Sequence, residues 1–551
     1  MRQDRADARP GASSTNGRTE EEFDLQEAEA AAQEVASATD NIAAGGAAVV
    51  PAAQAEQVAR GDAVVPADAH EPDLTHQERR EVGRSVFRLA WPAIAENALQ
   101  TLLGVVDTAV VARLGTAALS GVGAAHQLVW VLTTALIAIS MGTTVLIARF
   151  VGARETHNAN SVLRQSLLMS VVFSALLAPV ALLSHPMMTA LGLTPAAAEE
   201  GTTYLSITLA AGVFIVVMFV ASAALRGAGD TRTPMMVTGF INVINALLAV
   251  ELVFGGAQAS AVLSDWLGVP VPGLDWIPAM GVAGSAWATV IARAIGTVIL
   301  LGVFFMPNSV LKIAKIGISW RPDFGMIRRM LKIGIPSAFE QMFMSLGILV
   351  YSFLVIGMGE IVFATSRLAL NAVFLSQMPG FGFAMAATTL VGQSLGARSP
   401  KRALLGAQLA TRSAVVWMGI MGVVFFFFGE PLMRVFTDDR RLIDLGVEAL
   451  KVIAFNQPFL ALAFVLAGAL RGAGDVRFPM WVTTVAVWAV RLPTGAFMGL
   501  DVLCIPGTSM CIPGLGWGLP GIYGALIVES LLRAGLLYKR FREGKWQSMK
   551  V

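Results

Sequence analysis

Charge is scarce in this sequence. Only 14% of its residues are Asp, Glu, Lys or Arg, against roughly 25% in an ordinary soluble domain, while 55% are apolar. Such a chain cannot clothe itself in a solvated surface, which excludes a soluble globular protein and points to a bilayer. A net charge of +2, with Lys and Arg set between apolar runs, gives no basic face for nucleic acid. Cysteine is nearly absent: Cys504 and Cys511 are the only two, and neither lies in an apolar run. Of five histidines only His126 lies inside such a run. No nucleophile or metal-ligand constellation can be built from these, so neither an enzyme nor a metal or other cofactor is expected. The cysteine spacing leaves a disulfide and two free thiols equally open.

Residues 1–85 lack a different ingredient. They are rich in Ala, Glu, Asp, Gln and Gly, almost without aromatics, and contain no apolar stretch able to act as a signal-peptide core. The expectation is a disordered tail.

Long apolar runs begin at Val86, near 88–112, 120–148, 161–184, 202–225, 232–256, 280–305, 330–356, 362–392, 404–428, 446–470, 478–500 and 517–538. Each is close to the ~20 residues a helix needs to cross ~30 Å of hydrocarbon, and twice the length of a barrel strand. Arg149, Arg154, Lys312, Arg328, Arg398, Lys401, Lys539 and Arg540 cluster in alternate connections, which the positive-inside rule assigns to the cytoplasm together with both termini. The loop "TDDRRLIDLG", with Arg440 and Arg441 on the outer side, dissents.

One phrase is written twice: "ALRGAGDTRTP" at 224–234 and "ALRGAGDVRFP" at 469–479. It reads as a tight turn between spans, built from Arg226, Gly227, Gly229 and Asp230 and again from Arg471, Gly472, Gly474 and Asp475. In this reading Gly227 and Gly229 stop one helix with positive φ, Asp230 caps the next, and Pro234 fits its first turn. Pro92 and Glu96 likewise match Pro336 and Glu340 at an offset of 244, and "VGARE" at 151–155 matches "LGARS" at 395–399. The chain is thus expected to be an all-α membrane protein of twelve helices in two six-helix lobes. Because six is even, both lobes enter the membrane in the same direction, and a pseudo-two-fold along the membrane normal relates them around a cleft. The divisions are a tail 1–85, an N-terminal lobe 86–307, a basic linker 308–329, a C-terminal lobe 330–541 and a tail 542–551.

On the first span Glu96, Gln100 and Asp107 recur at helical steps and share a stripe that cannot face lipid. A carboxylate at mid-membrane costs at least ~2.5–3.5 kcal/mol, which marks Asp107 as a functional candidate. The cavity-facing polar residues of the first and seventh spans are read as Glu96, Asn97, Gln100, Glu340, Gln341 and Tyr351, with Tyr351 at the position equivalent to Asp107. Arg491 on span eleven, and Glu529 and Arg533 four apart on span twelve, read as a buried ion-pair group. Trp130, Phe339, Phe343, Met344, Phe381, Phe383, Met385 and Trp488 could form an adaptable wall for flat cations.

From "WPAIAENALQTLLGVVDTAVVARLG", the paired "ALRGAGD", "TTLVGQSLGARSPKRA", "WAVRLP" and "ESLLRAGLLYKRFREGKW", the sequence between about 85 and 547 resembles the multidrug and toxic compound extrusion (MATE) transporters. That resemblance implies export of organic, often cationic and lipophilic compounds against inward H⁺ or Na⁺, from a monomer in the cell membrane. It assigns cation coupling to Asp107, with Asn242, Asn245 and Thr289 as neighbours. One archaeal branch carries an Asp where Ala246 stands and another branch an acid where Met344 stands, so H⁺ is favoured over Na⁺. A saccharide-lipid flippase of the same superfamily would need many cavity cations, whereas a channel or receptor has no need of two near-copies around one acid.

Overall fold

In a computed structural model the described residues are 75–549, apart from 257, 261–263, 265–277, 308, 314–319 and 505–510. The expected tail up to residue 74 lies outside them. Twelve helical spans run alternately up and down: α1 His76–Ala112, α2 in two pieces Thr116–Thr134 and Leu136–Gly152, α3 Thr156–Leu177, and α4 in two pieces Pro195–Ala210 and Gly212–Ala228. Then come α5 Arg232–Phe254, α6 Val282–Val303, α7 Phe324–Ile356, α8 Glu360–Gly396, α9 Pro400–Phe427 and α10 Arg440–Ala473. In α11, Arg477–Val485 and Leu492–Gly499 flank a π turn at Ala486–Arg491, and α12 is Gly518–Arg542. Among the described residues nine helices are long and apolar enough to span a membrane alone, the bent pairs α2 and α4 add two, and the π turn is what divides the twelfth.

The internal repeat extends to the helix ends. The offset of 244 carries the end of α1 onto that of α7, both ends of α2 onto those of α8, and the start of α3 onto that of α9. Helix α1 begins well ahead of the expected 86, because Thr75 and Glu78 form a reciprocal capping box: the Glu78 amide donates to Thr75 Oγ1 at 3.2 Å and the Thr75 amide to Glu78 Oε2 at 2.8 Å. Helix α7 starts at Phe324, inside the expected linker, where Asp323 accepts from the Met326 amide. The dissenting arginine Arg440 is neutralised: with Arg434 it binds Glu430, at 3.0 and 2.7 Å, and the two guanidinium groups, Arg434 first, hold that carboxyl below the usual range. Beyond α11 the strands β1 Val502–Cys504 and β2 Cys511–Pro513 pair antiparallel with Cys504 opposite Cys511; the sulfur positions lie outside the described side chains.

The doubled phrase does form two turns, though its glycines divide the labour. Gly229 and Gly474 end α4 and α10 with φ of 92° and 95°, and the amides of Asp230 and Asp475 reach back to the carbonyls of Leu225 and Leu470 at 2.9 Å. Gly227 and Gly472, expected to help stop the helices, are instead helical; a Cβ on them would strike the backbone at Thr144 and Thr388. They let α4 lie on α2 and α10 on α8.

The two positions at which the copies differ also have a physical reason. Pro92 cannot donate to the carbonyl four residues earlier, and the Thr231 hydroxyl, 3.4 Å away, donates to that carbonyl of Arg88. Thr233 donates its amide (3.0 Å) and hydroxyl (2.6 Å) to Asp230. In the second copy Val476 is buried apolar packing, and Phe478 lies 5.2 Å beneath the Arg540 guanidinium, which binds Asp475 at 2.8 Å. A threonine-capped turn has become an arginine-clamped one. Arg226 pairs with Glu96 at 2.8 Å, tying α4 to α1, whereas its counterpart Arg471 donates to the Ala467 carbonyl and Glu340 accepts from Thr483 at 3.0 Å.

The lobes meet at the end of the bundle that holds these turns, referred to below as the basic end. There α1 packs on α8, the equivalent α7 packs on α2, and α2 crosses α8 on the pseudo-axis. Glycine makes the approach possible: a Cβ on Gly334 would strike the Ala138 carbonyl, one on Gly396 that of Arg149, and one on Gly152 that of Gln393. The apolar clusters agree. Val82, Val86 and Leu89 of α1 belong to the α8–α10 core, and Met326, Met330 and Ile333 of α7 to the core of the first lobe, all near the basic end. Clusters toward the other end stay within one lobe. The cleft therefore opens away from the basic end.

Two outcomes follow from this packing. Gly396→Val should separate α2 from α8 and raise the labelling of a cysteine placed at the buried Ala148 by roughly tenfold, a shift of about 1.4 kcal/mol between closed and open basic ends; an unchanged labelling rate would show that this contact does not hold the end shut. Glu96→Gln leaves the Arg226 guanidinium buried without its counter-charge and should cost about 3–5 kcal/mol of stability, read as a lower melting temperature of the purified protein. An unaltered melting temperature would deny the pair a structural role.

Candidate functional site

Asp107 lies three turns beyond Glu96 on the inward stripe of α1 and is 2% exposed. Three helices meet at it. From α5 the Asn245 Nδ2 donates to its Oδ1 at 2.8 Å, and from α6 the Thr289 hydroxyl donates to its Oδ2 at 3.2 Å. The contacts are neutral. Arg293, one turn beyond Thr289 on α6, acts electrostatically on this carboxylate without a direct ion pair. Around Thr289 the Tyr204 hydroxyl of α4 adds a further polar group, itself bonded at 2.8 Å to Nε2 of His126 on α2.

The expected neighbours of Asp107 separate into two kinds. Asn245 and Thr289 touch it; Asn242 does not, because its Nδ2 donates to the Leu99 carbonyl on α1 and so fixes α5 against the helix that carries the acid. Asn245 Oδ1 is buried with no hydrogen-bond partner among the described residues. That oxygen, Thr289 Oγ1 and the Asp107 carboxylate are the ligands a hard cation could find, few against the six or more oxygens such ions favour, and Ala246 adds none. Among the described residues no group of three His, Cys, Asp or Glu side chains could hold a metal ion.

The remaining candidates do not gather at Asp107. Glu96 and Glu340 are buried and engaged by Arg226 and Thr483, Asn97 and Gln341 are half-buried, and Gln100 is exposed. Tyr351, expected to face the cavity, is buried, with its hydroxyl donating to the Ile522 carbonyl at 2.7 Å. Trp130, Phe339 and Trp488 are open, Met344 is half-buried, Phe339 stacks on Phe343 at 6.1 Å, and Trp488 Nε1 donates to the Phe343 carbonyl. Phe383 is not wall: it packs in the α8–α10 core, since Gly382 beside it brings α8 hard against α1. Glu529 and Arg533 form the expected pair at 2.9 Å, but Arg491 does not join it. Arg293 was legible as a charge inside an apolar run one turn from Thr289; nothing in the sequence singled out Tyr204.

Comparison with known proteins agrees with this architecture. The MatE family model matches residues 92–250 and 336–497, once in each lobe. A probable multidrug resistance protein NorM of Thermotoga maritima is 32% identical over 486 residues, covering 87% of this chain and 96% of its own. The multidrug resistance protein PmpM of Pseudomonas aeruginosa is 25% identical over 424 residues, covering 76% and 84%. A solved outward-facing multidrug resistance MATE transporter of the MOP superfamily shares the fold with a TM-score of 0.73 at 20% identity, over 87% of this chain and 100% of that one. With the family model matched once in each lobe and a relative 32% identical along nearly its whole length, the chain belongs to the MATE family of multidrug efflux transporters.

Proposed function

We propose that this protein is a secondary antiporter that exports organic, chiefly cationic and lipophilic, compounds from the cytoplasm in exchange for protons, with Asp107 as the coupling group. The observation that carries this reading is the surroundings of Asp107: a carboxylate buried in the bundle on a membrane-spanning helix, whose direct contacts, Asn245 and Thr289, are uncharged donors. A carboxylate locked in an ion pair, as Glu96 is with Arg226, serves structure, whereas one held by neutral donors can take and give up a proton; of the two so held, Asp107 and Glu340, Asp107 is the one met at both oxygens, by donors from two other helices of its lobe. The sparse oxygen set around it favours H⁺ over Na⁺.

In this reading the basic end faces the cytoplasm, and the cleft described above is the outward-open form. Proton binding from outside removes the negative charge and releases a cationic cargo; deprotonation in the inward-open form restores the charge for the next one. Proton and cargo thus compete for one site in each conformation. Each pH unit across the membrane supplies about 1.4 kcal/mol per proton, enough for roughly tenfold accumulation. The exposed Trp130, Phe339 and Trp488 offer aromatic faces to a flat cation.

Asp107→Asn keeps the shape and both donors within reach but cannot titrate. The purified variant in liposomes should insert and fold normally and retain weak cargo binding, while efflux of a fluorescent lipophilic cation falls to the level seen without a pH gradient. Export at the wild-type rate under that gradient would end the coupling role. A wild-type protein driven by a Na⁺ gradient and indifferent to pH would reverse the choice of ion.

A further inference from the structure

The place of Asp107 is taken in the other lobe by an uncharged tyrosine with an arginine beside it. The offset of 244 that carries Pro92 onto Pro336 carries Asp107 onto Tyr351, and α11 and α12 stand where α5 and α6 do. The junction of α7, α11 and α12 thus gathers Tyr351, Arg491, Glu529 and Arg533. Glu529 and Arg533 neutralise each other at 2.9 Å. Arg491, at 9% exposure, is left over. Its guanidinium carbon lies 4.2 Å from the centre of the Tyr351 ring, its Nε has no acceptor, and no carboxylate comes within ion-pair distance among the described residues. Arg367, on α8, stacks on Phe363 and adds only positive charge.

Arg491 also closes the π turn of α11, and single π turns inside α-helices are frequent at functional positions. Trp488, in the same turn, is 38% exposed, so this stretch of α11 is not sealed by packing. A fixed cation kept in the bilayer interior without a counter-ion is costly, and the planar fork of a guanidinium suits an oxyanion.

We propose that Arg491 is a subsite for the anionic end of the cargo: a carboxylate or comparable oxyanion is held by its guanidinium, whose Nε has no partner, beside Tyr351 and Trp488. The lobes then present opposite charges at equivalent depth, acid on α1 and guanidinium on α11. The compounds that satisfy both are organic zwitterions, with the cation toward Asp107 and the anion toward Arg491. This rests on the reading of the chain as an exporter of organic compounds, but not on which ion drives it.

The test is equilibrium binding of two dyes that differ in one charge, rhodamine B with its free carboxylate and its cationic ethyl ester, to the full chain in phosphatidylcholine nanodiscs. Wild type should bind rhodamine B more tightly than the ester. Arg491→Gln should weaken rhodamine B by roughly tenfold, the scale of one charge-assisted hydrogen-bond pair, and leave the ester unchanged, with Arg491→Lys between the two. Equal loss of both dyes, loss of neither, or a wild-type preference for the ester overturns the proposal. If Arg491→Gln is not recovered folded, the wild-type preference and the Lys variant decide. Loss of rhodamine B binding when half the lipid is phosphatidylglycerol would assign the guanidinium to a lipid phosphate and overturn the cargo site. Binding of neither dye would remove the organic-export reading as well, whereas a failure of Asp107→Asn to abolish pH-driven flux leaves this binding test standing.

Discussion

A charge inside a bilayer must be answered from within the protein, and the rest of this structure is arranged around that requirement. Three buried carboxylates are answered by arginine: Glu96 by Arg226, Asp475 by Arg540 and Glu529 by Arg533. Each joins elements that must stay joined, namely α1 to α4, the second turn to α12, and successive turns of α12. Against these, Asp107 is met by neutral donors and Arg491 by an aromatic ring. The paired charges hold the lobes in shape, and the groups proposed for coupling and for cargo are among those without an ion pair.

The same helix that carries Asp107 also reaches the other lobe. Along α1, Asp107 and the Leu99 carbonyl engage α5 and α6, while Ala90 and Ile94, nearer the basic end, lie against Gly382 of α8. The contacts between lobes are made largely by backbone brought close at glycine, and close-packed backbone surfaces either fit or separate rather than deform by degrees. Under the proposed function, a change of charge on α1 acts on the same helix that makes the contact at the basic end. The α7–α2 contact, its symmetry mate, carries no such acid, because the position equivalent to Asp107 is Tyr351 with its hydroxyl committed to α12.

Much of this was legible in the sequence, and for a reason. The spans follow from the hydrocarbon thickness, and the repeat from residues fixed by backbone geometry: Pro92 and Pro336 inside helices, Gly229 and Gly474 at positive φ. Asp107 was legible as a polar residue in an apolar run, placed by its register, whereas Asn245 and Thr289 were placed beside it only by the family resemblance. What could not be read were contacts between segments distant in the chain. Gly227 looks like a helix stop beside Gly229; only the arrival of Thr144 from α2 makes it a packing residue. Phe383 looks like cavity wall until Gly382 seats α8 on α1. Arg491 looks like a partner for Glu529 until the i,i+4 geometry of α12 gives that carboxylate to Arg533. In each case the nearest available partner along the chain or across the bundle decided the matter.

The departures from symmetry are the more informative half of the repeat. Thr231 and Thr233 serve the carbonyl freed by Pro92 and the carboxylate of Asp230; their replacements Val476 and Phe478 rely instead on burial and on Arg540. Arg226 faces a carboxylate and Arg471 a carbonyl. One lobe centre carries an acid and the other a guanidinium. Two identical lobes would close on each other with like surfaces and like charges, offering a cargo no preferred orientation. By keeping the geometry of the turns while exchanging their chemistry, the chain retains a common frame and gives each lobe a different chemistry.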